Sequence, residues 1–223
     1  MATYYAIPCP SELRQNFDLL IAHFEQKVSQ PQNELLIKVA NDYTDKIIEV
    51  MVLGNSQMMD QESFSAKVLN NVAVVIKATA HTLIKQVLHK MKNEEMAPLT
   101  QQIRARKLVI NDMDCISFPV PATLAASYRD AFEQIKQGNI QVREQLMHAM
   151  LEFSLLANHY FYTESIKPLK LGFVTRKITD LGGVTINRAS QAAIKKLIPQ
   201  LNIDELKEFV AYLEPFFVDV PRS

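Results

Sequence analysis

Carboxylates and imidazoles on one helical face can ligate a metal or move a proton, and Glu144, His148, Glu152 and His159 have that spacing. At about 100° per residue they fall within an arc of about 80° on the helix expected over 140–167. Leu146, Met147, Met150, Leu151, Phe153, Leu155, Leu156 and Phe161 surround them. On that reading the set is a polar stripe in a dry core, a candidate metal or ligand site or acid/base pair. The spacing differs from the Glu-x-x-His ligand pair of carboxylate-bridged di-iron bundles, and no second helix offers a matching set. A hydrogen-bonded stripe or a solvent edge accounts for the same residues without chemistry.

A second constellation is basic. Between 167 and 200, Lys167, Lys170, Arg176, Lys177, Arg188, Lys195 and Lys196 face one carboxylate, Asp180, a local charge of +6. Residues 178–197 (ITDLGGVTINRASQAAIKKL) loosely follow a helix-turn-helix pattern: a short helix, a Gly182-Gly183 turn, then a helix presenting Arg188, Gln191 and Lys195. On that reading 175–198 would meet nucleic acid, with Arg176, Lys177 and Lys196 adding phosphate contacts. Gly182 stands where such motifs are normally apolar, and Ala189 and Ala192 fill slots that usually hold larger residues. A basic surface facing the acidic last helix, with Asp204, Glu205, Glu208 and Glu214, is the plainer account.

Other reactive groups are isolated. His81 and His89 straddle Lys85, whose charge disfavours a divalent metal, and His23 stands among apolar neighbours. Gly-x-Ser-x-Gly, Gly-x-x-x-x-Gly-Lys and Gly-x-Gly-x-x-Gly are all absent from the sequence. The chain therefore reads as non-enzymatic, with no cofactor expected. Nine methionines and the aromatic group Phe153, Tyr160, Phe161 and Tyr162 could instead line a pocket for an apolar ligand.

Composition bounds the partners. The 24 Lys and Arg balance 24 Asp and Glu, so no global field attracts a polyanion and any such partner must use a local patch. Cys9 and Cys115 cannot make the disulfide framework of a small secreted domain, and residues 1–10 lack the features of a signal peptide; a cytoplasmic location is expected. The greasiest stretch, 72–84, is short for a bilayer span and carries Lys77 and His81.

These groups would be positioned by helices. Leu13, Phe17, Leu20, Ile21, Phe24 and Val28 recur at helical spacing after Pro10. Further helices are expected over 35–53, ended by Gly54; over 61–92, capped by Asp60; after Pro98; over 122–137, closed by Gly138; and over 140–167, stopped by Pro168. Asn202 and Glu205 form a capping-box pattern for the last helix. Pro119 and Pro121 mark 109–121 as a linker between halves 1–108 and 122–223 of one helical domain.

The reading is an all-α bundle of about seven to nine helices, with 61–92 and 140–167 central, and with a β-hairpin over 171–186 as the alternative for that stretch. Its function is that of an interaction or regulatory protein, expected as a homodimer, working through a helical surface or a small apolar pocket. The alternatives are a nucleic-acid-binding regulator and an enzyme using the Glu/His stripe.

Overall fold

A computed structural model describes residues 1–57 and 63–221. The architecture is a mostly helical bundle with a small antiparallel sheet. Helix α1 (Ser11–Glu25) buries Leu13, Leu20 and Phe24, one face of a helix of the ordinary period. Helix α2 (Asn33–Ile48) runs on through a π-helical stretch (Glu49–Leu53) into a short α-helical segment (Gly54–Gln57). Helix α3 (Phe64–Leu88) is capped by Ser63, whose hydroxyl accepts the Ala66 N–H at 3.1 Å. The expected cap, Asp60, and the expected start of that helix at position 61 lie outside the described residues.

A single turn (Asn93–Met96) leads to α4 (Leu99–Ala105), and after two strands the chain forms α5 (Ala122–Lys136), closed by Gly138 at φ 88°. Helix α6 (Arg143–Asn158) widens into a second π-helical stretch (His159–Thr163) and a last α-turn (Glu164–Ile166). Helix α7 (Phe173–Leu197) follows, and then α8 (Ile203–Leu213). At the start of α8 the Asn202 side chain accepts the Asp204 and Glu205 N–H groups while Glu205 accepts the Asn202 N–H, the expected capping box.

The sheet draws its strands from the whole chain: β1 (Ala2–Pro8), β2 (Lys107–Ile110), β3 (Met113–Val120) and β4 (Phe217–Val220), in the order β2-β3-β1-β4 and all antiparallel. Residues 109–121, expected as a linker, are hairpin and central strand instead. Asn111 and Asp112, at φ 49° and 63°, join Ile110 to its partner Met113 in a two-residue turn with both central residues left-handed, the geometry that matches strand twist. Tyr5, Ile7 and Phe118 are fully buried, so the sheet packs its central strands into the helical core. Tyr5 meets Phe118, Phe153, Phe216 and Phe217 at ring-centroid distances of 4.9–5.7 Å.

Of residues 171–186, read as a short helix and turn or as a hairpin, 173–186 belong instead to the 25-residue helix α7, with Gly172 extended just before it. Gly182 and Gly183 are helical and buried because α3 and the widened end of α6 press against them. A β-carbon on Gly183 would lie 2.8 Å from the Tyr162 ring. Of the two helices expected at the centre, α6 buries Leu146 completely, while α3 leaves Val74 67% exposed on its outer side.

Candidate functional site

A cavity of about 190 Å³ lies where α2, α3, α6 and α7 meet the sheet. Ile47 and Ile48 come from α2, Leu69 and Ile76 from α3, Phe153 and Ala157 from α6, Ile186 and Ile194 from α7, and Phe217 from β4. Both π-helical stretches border it, one supplying Met51 and Val52 and the other Phe161 and Tyr162. A π-turn inserts an extra residue into a helix and is frequent at functional sites. Here the two widenings face the same space.

Four hydroxyls around the cavity are engaged with backbone. Thr44 donates to the Ala40 carbonyl at 2.8 Å, Ser154 to Leu151 at 2.8 Å, Ser190 to Ile186 at 3.0 Å and Tyr162 to Thr179 at 2.5 Å. Three other polar atoms are not. The Tyr5 hydroxyl and the Asn55 and Asn158 Oδ1 atoms are buried and, among the described residues, have no hydrogen-bond partner. The Asn158 amide nitrogen donates to the Gly183 carbonyl at 3.5 Å, leaving its oxygen as the free end. Burial pushes the Tyr5 phenol far above its ordinary range and Tyr162 up to about 12, so both stay neutral at any physiological pH. A neutral, largely apolar space with a hydroxyl and two carbonyl acceptors suits an uncharged molecule carrying a donor.

A second cavity of about 130 Å³ lies between α1, α2 and the β2–β3 hairpin and contains both cysteines. Its charged groups pair with one another: Asp114 is 3.3 Å from both Arg14 and Lys107. Burial, reinforced by the Asp114 charge, pushes the Cys9 thiol up to about 11, and burial raises Cys115 as well. A thiol held protonated is a poor nucleophile. The Arg106 guanidinium covers the Tyr160 ring at 4.6 Å.

The Glu/His stripe lies outside both cavities. Glu144 and His148 are 80% and 68% exposed and 3.7 Å apart, Glu152 is exposed, and His159 is half-exposed with Glu164 at 3.7 Å. The core stripe that a metal or acid/base site would need is thus corrected, and the solvent edge, the other arrangement open for these residues, is the one found. Helix α6 buries Leu146, Ala149, Phe153 and Ala157, and that inward face turns the Glu/His face to solvent. Among the described residues no group of three or more His, Cys, Asp or Glu could hold a metal ion. His23 pairs with Gln32 at 2.7 Å and His81 with Asp45 at 2.8 Å, so ordinary side-chain partners engage both.

The basic residues are placed on α7 without the expected turn. Arg176, Lys177, Arg188, Lys195 and Lys196 are exposed and Gln191 is half-buried, all on one continuous helix. The separate recognition helix expected within 175–198 is therefore absent, because Gly182 and Gly183 serve close packing rather than a reversal. Asn55, Tyr5 and the π-helical stretches escaped the sequence reading, since no local pattern marks a helix that widens or a strand that enters a core. Of the aromatic group expected to line a pocket, Phe153, Phe161 and Tyr162 border the larger cavity, whereas Tyr160 does not and packs against Phe118 and Arg106 instead. Compared with protein-family models, curated proteins and solved structures, the chain matches none of them.

Proposed function

We propose that this chain is a non-enzymatic binding protein that takes a small, uncharged, mainly apolar molecule bearing a hydrogen-bond donor into the cavity between α2, α3, α6 and α7. The supporting observation is the pairing of a cavity of about 190 Å³ with three buried, unpartnered polar atoms at its edge, on Tyr5, Asn55 and Asn158. An apolar cavity of roughly 150 Å³ accepts benzene, so this one suits a single or fused ring system. Each buried unsatisfied polar atom costs about 1–3 kcal/mol, and a ligand that satisfies it recovers part of that cost. A ligand hydroxyl or amine donating to Asn55 or Asn158 would also be oriented by them, which is how a mostly apolar pocket gains selectivity.

Thermal unfolding with indole, 2-naphthol and naphthalene tests the reading. At a concentration of about 100 Kd a ligand adds about 2.7 kcal/mol, a rise of roughly 5–10 °C in Tm for a chain of this size. The donors indole and 2-naphthol should outperform naphthalene. Ala157→Leu, which fills the cavity, should abolish the rise, and Asn158→Leu should erase the preference for donors. No rise with any of the three, or an undiminished rise in Ala157→Leu, removes the proposal.

A further inference from the structure

The outward face of α7 carries the least expected surface of the molecule. Phe173, Val174, Ile178, Leu181 and Val184 are 73%, 68%, 41%, 67% and 45% exposed. At about 100° per residue these five occupy an arc of about 140°. The opposite side of the same helix, with Thr179, Gly182, Gly183, Ala193, Ile194 and Leu197, is buried against the bundle. Helix α7 is therefore apolar on both faces over its first half, and the bundle covers one of them.

The exposed face is also cationic. Lys177 and Arg188 project within the apolar arc, Lys195 continues it, and Lys167 and Lys170 precede it. Asp180 is the sole carboxylate of the helix. Among the described residues Lys170, Arg176, Lys177, Arg188 and Lys195 make no ion pair, and Lys177 Nζ lies 4.4 Å from the Phe173 ring centroid. In a chain of zero net charge, this helix thus combines a run of unpaired cations with a row of exposed apolar side chains.

We propose that this face of α7 docks on an anionic membrane surface, lying in the headgroup plane. Apolar side chains that enter the acyl boundary alongside cations that pair with lipid phosphates and carboxylates are the two terms that hold an interfacial helix. Lys177 and Arg188 meet the geometric requirement, since their stems follow the apolar surface while their charges reach outward to the headgroups. Among the described residues no helix is long and apolar enough to cross a bilayer, so the contact is one of surface docking.

Charge decides against the other occupants. A two-fold copy would set Lys177 and Arg188 among their own like charges, with Asp180 alone to offset them. A nucleic acid would meet the cations but would leave five exposed apolar side chains against phosphate and water. An anionic bilayer satisfies both components. The inference is independent of the internal cavity, which involves the opposite face of α7.

Flotation of the full chain with phosphatidylcholine vesicles, with and without phosphatidylserine, is the test. The protein should float with the phosphatidylserine vesicles at least about tenfold more strongly than with phosphatidylcholine alone, and added salt should weaken it. Lys177→Glu with Arg188→Glu should lower binding by about thirtyfold or more. Phe173→Ser with Leu181→Ser, both on exposed positions and checked for unchanged circular dichroism and Tm, should abolish it. Equal binding to both vesicle types, no binding, or full binding by the serine variant overturns the proposal. So does light scattering that shows a dimer dissolved by Phe173→Ser with Leu181→Ser, or duplex DNA binding lost in Lys177→Glu with Arg188→Glu.

Discussion

Gly182 of α7 abuts Leu83 of α3 so closely that a β-carbon at position 182 would lie 2.1 Å from Leu83 Cδ1 and 3.1 Å from the Tyr162 hydroxyl. Leu83 is itself buried, so it has little room to retreat. This contact explains why two adjacent glycines, an ordinary turn signal, are held inside a helix. Small residues let the two long helices approach, and the packing gained outweighs the helical preference lost.

Gly182→Ala should therefore destabilise the protein by about 1 kcal/mol, even though alanine favours a helix by about 1 kcal/mol over glycine, because overpacking costs about 1–3 kcal/mol. Gly182→Val should cost more. Urea unfolding with an unchanged m-value measures both, and a stabilised Gly182→Ala would show that the helices part freely.

The same logic applies more severely at Gly54. A β-carbon there would lie 1.7 Å from the Tyr212 hydroxyl, which donates to the Val50 carbonyl at 2.9 Å across the π-helical end of α2. Tyr212→Phe should cost about 1 kcal/mol, the net worth of one hydrogen bond. Gly54→Ala should cost about 2–3 kcal/mol, since the ring must move and the bond is lost with it. In the double variant the two costs should fall short of additive, a coupling that unfolding measurements resolve.

Tyr5, Tyr43 and Tyr128 are held neutral by burial, which raises each phenol well above its ordinary value, and Tyr162 is raised to about 12. A raised folded-state value means the stability is fully present below about pH 10, where the unfolded phenol titrates. Above that pH the unfolded chain loses protons that the folded one keeps. Stability should fall by roughly 1.4 kcal/mol per pH unit for each such tyrosine, with Tyr162 ceasing to contribute beyond about pH 12. Urea midpoints between pH 9 and 11, followed with tyrosinate absorbance, check this; absorbance that rises before unfolding would contradict it.

Both thiols should resist alkylation. With Cys9 raised to about 11 and Cys115 raised by burial, the thiolate fraction at neutral pH is small. Reaction with iodoacetamide at pH 7.5 should be at least about tenfold slower for the native protein than for the urea-unfolded chain, measured by mass spectrometry.

The legible parts of the fold were those with local causes. Leu13, Leu20 and Phe24 announce the buried face of α1, Gly138 closes α5 with a positive φ, and Asn202 with Glu205 caps α8, each through groups a few residues apart. The sheet was missed for the opposite reason. Strand β1 pairs Ala2 with Val220, and its neighbour β3 includes Pro119, so neither its partner nor its depth is visible nearby. One local signal did exist. Asn111-Asp112 between Ile110 and Met113 is a hairpin turn pair, but the prolines that follow read more strongly as a break.

At the sites the division is the same. Residue types and spacing placed Glu144, His148 and Glu152 on one face of α6, but only packing decided that this face meets water. Apolar periodicity, which acts within a few turns of one chain segment, was enough to dictate helices and their buried sides. Whether two glycines bend or nest, whether a helix widens to shape a cavity, and which side of α7 stays bare depend on surfaces that meet only after the chain has folded. Those outcomes belong to the tertiary structure because the free energy that decides them arises between segments distant in sequence.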